Sequence, residues 1–128
     1  NFREAPYVFY RKGQYYFLWS VDDTGSPNYH VCYATSKSPL GPLNLDESNY
    51  MVIRQRPEDK IYGTAHNSVL QIPGKDEWYI VYHRINKNYI DPHFAPGIHR
   101  EVCIDRLTFD KKGKIVEVTP TLNGPFCK

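Results

Sequence analysis

Glu4 is the first acidic residue of the sequence, and it stands directly before Ala5 and Pro6. Proline drives the residue before it toward extended conformations. The run YVFY that follows favours a β-strand, because aromatic and β-branched residues suit a pleated surface. A carboxyl group at a strand end can serve as a general acid if burial or a nearby negative charge raises its pKa. Glu4 is therefore either a solvated surface charge or one member of a catalytic pair.

Two further side chains have types that suit a binding site. His66 precedes Asn67 and Ser68 at the start of another strand-like run, where an imidazole can bind water, a metal or a ligand, or simply satisfy local hydrogen bonds. Arg100 begins a third such run and can donate paired hydrogen bonds to a carboxylate, or lie solvated at a rim. The remaining histidines lack metal-ligand spacing, so we predict no metal site from them; they are His30, His83, His93 and His99.

Composition excludes several classes of protein. The chain is 41% hydrophobic and 23% charged, which is globular rather than disordered. Its net charge of +2 without a basic run does not favour a nucleic-acid partner, and no apolar run approaches the roughly 20 residues that span a bilayer. The three cysteines form no CxxC pair, so no zinc site is predicted, and Cys32 and Cys103 are expected to be small buried hydrophobic residues.

The sequence reads as strands and turns, without a convincing helix. The loop from Asn86 to His99 is long for a hairpin connection, and long loops often carry function, so we expect it to shape the rim of a cleft. Trp19 and Trp78 fall inside apolar runs and are expected in the core. The predicted strands cover 6–10, 15–21, 29–36, 50–54, 66–72, 78–84 and 100–109, and the run IVEVTP follows the turn DKKGK.

The strand pattern occurs twice. YYFLWS (15–20) matches WYIVYH (78–83), and VCYATS (31–36) matches VCIDRL (102–107), at offsets of about 63 and 71 residues. Such self-similarity indicates stacked supersecondary units, and four antiparallel strands with an apolar second strand describe one blade of a β-propeller. We predict an all-β chain of about two antiparallel four-stranded blades, one over about 4–58 and one over about 62–120.

Two blades raise a physical difficulty. They cannot close a ring, since propellers use about four to eight, and two open sheets leave apolar faces and strand edges uncovered. We therefore expect a partial propeller that residues before Asn1, or another chain, complete. The alternative left open is a small two-sheet sandwich that is complete in itself.

Four segments carry a resemblance to a known family: REAPYVFYRKGQYYFLWS, YATSKSPLGP, GTAHNSVL and REVCIDRLTFDKKGKI. The chain resembles the family 43 glycoside hydrolases, five-bladed propellers that act on arabinan, xylan and related plant polysaccharides. The resemblance spans essentially the whole chain and covers the family's fourth and fifth blades. The matching motifs are Glu4-Ala5-Pro6, Gly63 with His66-Asn67-Ser68, and Arg100-Glu101, where His99 replaces the glycine of the family pattern.

The resemblance implies roles for these residues. Glu4 matches the general acid of an inverting glycosidase, and His66 matches a histidine on the propeller axis below the sugar. Arg100 matches an arginine that reaches toward the substrate. Tyr7 and Phe9, close to Glu4, are candidates for lining the sugar site.

The resemblance also implies what this chain lacks. Inversion needs two carboxyl groups about 6.5–9.5 Å apart, and the family's general base and the aspartate that tunes its acid belong to earlier blades. None of the eight aspartates here stands in a matching context; they are Asp22, Asp23, Asp46, Asp59, Asp76, Asp91, Asp105 and Asp110.

The resemblance further implies a carbohydrate substrate, secretion or a periplasmic location, and no required cofactor, and it allows a structural cation such as calcium near His66. The competing hypothesis is a non-catalytic carbohydrate-binding or interaction module, with an aromatic-rich face and no acid–base pair.

Overall fold

A computed structural model describes residues 1–90 and 97–125. Seven strands form two antiparallel sheets, a four-stranded sheet in the order β1-β2-β3-β4 and a three-stranded sheet in the order β5-β6-β7. The centre of the predicted rim loop, together with Asp91, His93 and Cys127, lies outside the described residues. The strands are β1 (Glu4–Arg11), β2 (Gln14–Val21), β3 (His30–Ser36), β4 (Met51–Arg54), β5 (Ala65–Gln71), β6 (Trp78–Ile85) and β7 (Arg100–Leu107).

Two one-turn 3-10 helices, Pro57–Asp59 and Lys87–Tyr89, accompany the strands. No helix in the described part of the chain is long and apolar enough to cross a membrane.

The strand pairing follows the repeat found in the sequence. Ser20 of β2 pairs with Val31, and His83 of β6 pairs with Val102, so the matched positions of the two copies occupy equivalent places in their sheets. The all-β fold with antiparallel sheets is confirmed. The boundaries of the two predicted blades stay predictions.

The core lies between the facing surfaces of the two sheets. Along β2, Tyr16 and Leu18 point toward the second sheet and are buried, whereas the residues between them are half-exposed, as strand alternation requires. Trp78 and Ile80 of β6 meet them from the other side. Burying each such side chain contributes about 1.5–3 kcal/mol, so this contact holds the two sheets together.

Not all of the residues predicted for the core lie between the two sheets. Trp78 is buried as expected, and Cys32 is buried while Cys103 is partly buried. Trp19 instead lies half-buried on the opposite face of β2, where its indole N–H donates to the Asn1 carbonyl at 3.1 Å.

The segment after the last predicted turn differs from a simple fourth strand. Ile115 makes one antiparallel bridge to Phe109, and Val118 then makes a parallel bridge to Ile53 of β4. The N–H of Val118 donates to the Val52 carbonyl at 2.8 Å. Four strands are present in the first sheet, whereas the second sheet has three among the described residues, because the chain crosses back to β4.

Arg84 fixes the end of this returning segment. Its side chain is nearly buried and bonds the carboxylate of Glu101 at 2.7 Å. The same guanidinium donates to the carbonyls of Thr121 and Leu122 at 2.9 and 3.1 Å. One planar group with five donors therefore ties β6 and β7 to the segment that follows β7.

Replacing Arg84 by lysine should destabilise the protein by about 2 kcal/mol, because one ammonium cannot reach three acceptors spread around a planar fork. Guanidinium chloride unfolding measures the loss. Arg54→Lys is the matched control, since Arg54 makes an exposed ion pair with Glu117, and it should change the free energy of unfolding by less than about 0.5 kcal/mol. Equal losses in the two variants would contradict the anchoring role of Arg84.

Candidate active site

The first strands of the two sheets begin with the same irregularity. In β1 the register shifts between Glu4, which pairs with Ser20, and Tyr7. In β5 it shifts between Ala65, which pairs with His83, and Ser68. Each shift is a β-bulge, which places extra residues against one partner and re-aims a side chain.

The bulges decide which residues are equivalent. Glu4 corresponds to Ala65, and His66 corresponds to Ala5, so the acid and the histidine are offset by one position in the repeat. Ala5 and His66 both have positive φ, 57° and 52°. Such a conformation in a residue other than glycine costs about 1–3 kcal/mol and is typical of functional sites.

Glu4 and His66 meet at this end of the sheets. Glu4 Oε1 lies 3.5 Å from His66 Nδ1, and the two side chains are 44% and 52% exposed. The backbone N–H of His66 donates to the hydroxyl of buried Ser20 at 2.8 Å. Two of the predicted site residues, which come from different sheets, thus lie side by side and open to solvent.

Tyr29 completes the surroundings of the carboxylate. Its hydroxyl donates to Glu4 Oε1 at 2.8 Å, and its ring is buried and stacks on His83 at 5.8 Å. Sequence reasoning missed Tyr29, since it stands at the start of a strand-like run without any motif around it.

His83 joins Arg100 to the group. Nε2 of His83 lies 3.3 Å from Arg100 Nη1, and Nδ1 lies 3.1 Å from the Gly63 carbonyl. Arginine only donates and a carbonyl only accepts, so the ring is neutral with its proton on Nδ1. Burial of the ring and the charge of Arg100 lower the pKa of His83, in agreement with this assignment. The sequence predicted for His83 only that it lacks metal-ligand spacing, and gave no sign of this contact with Arg100.

Tyr7 and Phe9 lie elsewhere. The Tyr7 hydroxyl donates to the Val69 carbonyl at 2.9 Å and joins β1 to β5. Phe9 is buried in the core, where its ring stacks on Tyr16 at 4.8 Å. The structure therefore places Phe9 in the core, whereas Glu4, His66 and Arg100 are exposed or partly exposed near the starts of their strands.

The pKa of Glu4 lies below its ordinary value. The hydrogen bond from Tyr29 is the largest cause, and the His66 ring acts in the same direction, while partial burial opposes both. With only the described residues around it, Glu4 is therefore ionised at neutral pH. A general acid must hold its proton, so any such role requires further burial or a further negative charge that raises the pKa of Glu4.

The described residues do not form a metal centre. Among them, no group of three or more His, Cys, Asp and Glu side chains lies close enough to hold a metal ion. Calcium takes about six to eight oxygen ligands, and the carboxylate beside His66 is that of Glu4 alone. This donor set does not fit the calcium ion that the resemblance allowed near His66.

Removing the hydroxyl of Tyr29 should raise the pKa of the Glu4 carboxyl, because it removes a hydrogen bond that stabilises the ionised form. Carbon-13 NMR titration of the Glu4 side chain in Tyr29→Phe measures it. Tyr33→Phe is the matched control, since the Tyr33 hydroxyl bonds Asn49 rather than Glu4. A Glu4 pKa that is unchanged or lower in Tyr29→Phe would contradict the described hydrogen bond.

Known proteins are similar to this chain in sequence. The model for glycosyl hydrolases family 43 matches residues 1–115. The beta-D-galactofuranosidase xynD of Aspergillus niger is 39% identical over 121 residues, which cover 94% of this chain and 33% of that protein. A xylosidase/arabinosidase of Bacteroides ovatus is 27% identical, with 92% and 31% covered. The chain thus spans about a third of the length of these relatives.

Solved structures of glycoside hydrolases are similar to this chain in fold. The structure of a glycoside hydrolase superposes with a TM-score of 0.81 at 28% identity, over 95% of this chain and 26% of that one. A thermostable family-43 glycoside hydrolase gives 0.74 at 34% identity, over 92% and 36%. The two sheets carry Glu4 and His66 at their first strands, and the family model matches most of the chain. The chain therefore belongs to glycosyl hydrolases family 43.

Proposed function

We propose that the protein containing this chain is an inverting glycoside hydrolase with Glu4 as its general acid. The observation that carries the proposal is the setting of Glu4: a half-exposed carboxylate at a bulged strand start, beside His66, in a chain of this family. In the reaction, Glu4 protonates the oxygen of the leaving sugar as the glycosidic bond breaks.

The general base lies outside this chain. It activates a water on the face of the sugar ring opposite the acid, which yields inversion. The remaining propeller blades, upstream in the same protein or in another chain, supply it and cover the half-exposed face of β2 that carries Trp19. The coverage of only about a third of the relatives' length supports this division.

The same blades account for protonation of Glu4. Within the described residues Tyr29 and His66 favour the ionised carboxylate. A second carboxylate brought within about 4–6 Å would act in the opposite direction, because two negative charges at that distance disfavour ionisation of both. We assign that task to an aspartate of the missing blades.

Arg100 and His66 contact the substrate in this proposal. Both are exposed and both can bond sugar hydroxyls. His83 acts through Arg100: its neutral Nε2 accepts from the guanidinium and holds it at the cleft. His83 is thus a positioning residue rather than a catalytic one.

The substrate is an arabinose- or xylose-containing plant polysaccharide or oligosaccharide. The names of relatives support these sugars, among them the xylosidase/arabinosidase of Bacteroides ovatus and the arabinoxylan arabinofuranohydrolase of Paenibacillus polymyxa. The 39% identity to a galactofuranosidase favours a second candidate, a galactofuranoside. Such polymers lie outside the cell, so we expect a secreted or periplasmic enzyme that requires no cofactor.

Glu4→Gln in the full-length protein should lower kcat about 10²–10⁴-fold on sugars with poor leaving groups, because general acid catalysis contributes about that factor. Aryl glycosides with good leaving groups need little protonation and should lose much less. Steady-state kinetics on both classes measures the difference. Glu47→Gln, an exposed change of the same type, should leave both rates unchanged, and full activity of Glu4→Gln on poor leaving groups would contradict the proposal.

The binding-module alternative makes a different prediction for the same protein. It expects oligosaccharide binding without hydrolysis of any glycoside, even with Glu4 intact. Parallel assays on aryl arabinofuranoside, xyloside and galactofuranoside therefore test both the activity and the choice of sugar. Turnover of one of them identifies the sugar, whereas oligosaccharide binding without turnover of any supports the non-catalytic module.

A further inference from the structure

A cavity lies at the end of the first sheet opposite Glu4. Glu4 begins β1, whereas Arg11 and Lys12 at the other end of that strand line the cavity. A strand rises about 3.3 Å per residue, so about 23 Å separate the two ends of β1. The cavity is therefore separate from the Glu4 group.

The lining residues of the cavity come from three parts of the chain. They come from the hairpin between β1 and β2, the end of β3 with the loop after it, and the turn at 110–114. The Tyr16 hydroxyl donates to the Gly113 carbonyl at 2.5 Å, and the N–H of Ile115 donates to the Tyr33 hydroxyl at 3.1 Å. These bonds fix the floor of a cavity of about 450 Å³, a size typical of small-molecule sites.

The lining is strongly positive. Six cationic side chains face two carboxylates, for a formal charge of +4, whereas the whole chain carries +2. The cations are Arg11, Lys12, Lys37, Lys111, Lys112 and Lys114, and the carboxylates are Asp46 and Asp110.

Part of this charge is uncompensated. Arg11 and Lys12 pair with Asp76, and Lys114 pairs with Asp46. Asp110 is engaged differently, because its carboxylate accepts the backbone N–H groups of the turn that follows it.

Three cations of the lining remain. Lys37, Lys111 and Lys112 are exposed, and the described part of the chain contains no ion pair for them. They can each offer an ammonium group to an anion.

Neutral groups in the cavity define the ligand further. Gln14, Asn44 and Thr35 contribute amides and a hydroxyl, which can bond the hydroxyls of a sugar. The rings of Tyr16 and Tyr33 are buried, so among the described lining residues no aromatic face is open for stacking. Proteins bind single-stranded nucleic acid largely through such stacking, whereas ammonium, amide and hydroxyl groups alone can hold a charged sugar.

We propose that this cavity binds an acidic oligosaccharide, one whose sugar rings carry carboxylate groups. Lys37 and Lys111 pair with a sugar carboxylate through charge-assisted hydrogen bonds, and the neutral side chains bond ring hydroxyls. The proposal rests on the proposed function, which supplies a polysaccharide as substrate, and it gives the enzyme a second contact with the acid-substituted regions of that polymer.

Calorimetric titration of the full-length protein carrying Glu4→Gln tests this without hydrolysis. The probes are a uronic-acid-substituted oligosaccharide, the neutral oligosaccharide of the same backbone, and inorganic phosphate. The acidic ligand should bind more tightly than the neutral one, and added Lys37→Gln/Lys111→Gln should weaken it at least tenfold. The control pair Lys60→Gln/Lys75→Gln removes the same charge outside the cavity and should weaken it less than twofold.

Three results would overturn the proposal: equal binding of acidic and neutral ligands, equal effects of the two lysine pairs, or phosphate binding as tight as that of the acidic sugar, which would indicate a general anion site. Because the measurement is of binding, its outcome is independent of hydrolysis. If the acidic ligand binds through these lysines but the protein with Glu4 intact cleaves no glycoside, only the proposed enzyme activity is refuted.

Discussion

The hydrogen bond from the backbone N–H of His66 to the buried hydroxyl of Ser20 sets the geometry on which the candidate site depends. Ser20 pairs with Glu4 within the first sheet, so one residue determines where both the carboxylate and the histidine stand. The bulge in β5 takes the His66 N–H out of the ladder, and a buried N–H without an acceptor costs about 1–3 kcal/mol. The serine hydroxyl supplies that acceptor across the boundary between two sheets.

The other polar groups of the candidate site are connected to one another by successive contacts. Arg100 holds His83 in its neutral form, the His83 ring stacks on Tyr29, and Tyr29 bonds Glu4. The hydrogen bonds from Tyr29 and His66 favour an ionised Glu4. Under the proposed function, this part of the protein positions Glu4, and a carboxylate of the remaining blades sets its charge state.

The strands were predictable because their signal is local. Apolar runs placed β2 and β6 almost to the residue, and the matched segments of the repeat occupy equivalent places in the two sheets. The strand faces near the site were not predictable in the same way. Phe9 is close to Glu4 in sequence, and the bulge at Ala5 brings the two residues to the same face of β1, yet Phe9 lies five residues further along the strand, where Trp78 of the second sheet packs against it. A bulge at a residue other than glycine leaves no composition signal.

Contacts between distant segments set the other limit on prediction. Tyr29 reaches Glu4 across 25 positions, and no pattern within either segment indicates this pair. The crossing of the chain after Ile115 to β4 is of the same kind, since the run IVEVTP has the alternation of a strand in its own sheet and no residue in it specifies the other partner.

That crossing has a consequence for solubility. β4 is the last strand of its sheet, and its outer edge presents unpaired backbone groups of the kind that recruit strands from other molecules. The bridge from Val118 to Ile53 occupies part of this edge, and Arg84 secures the segment that makes it. A guanidinium in the second sheet thus helps to keep part of the first sheet's edge covered, and a covered edge is less open to strands from other molecules.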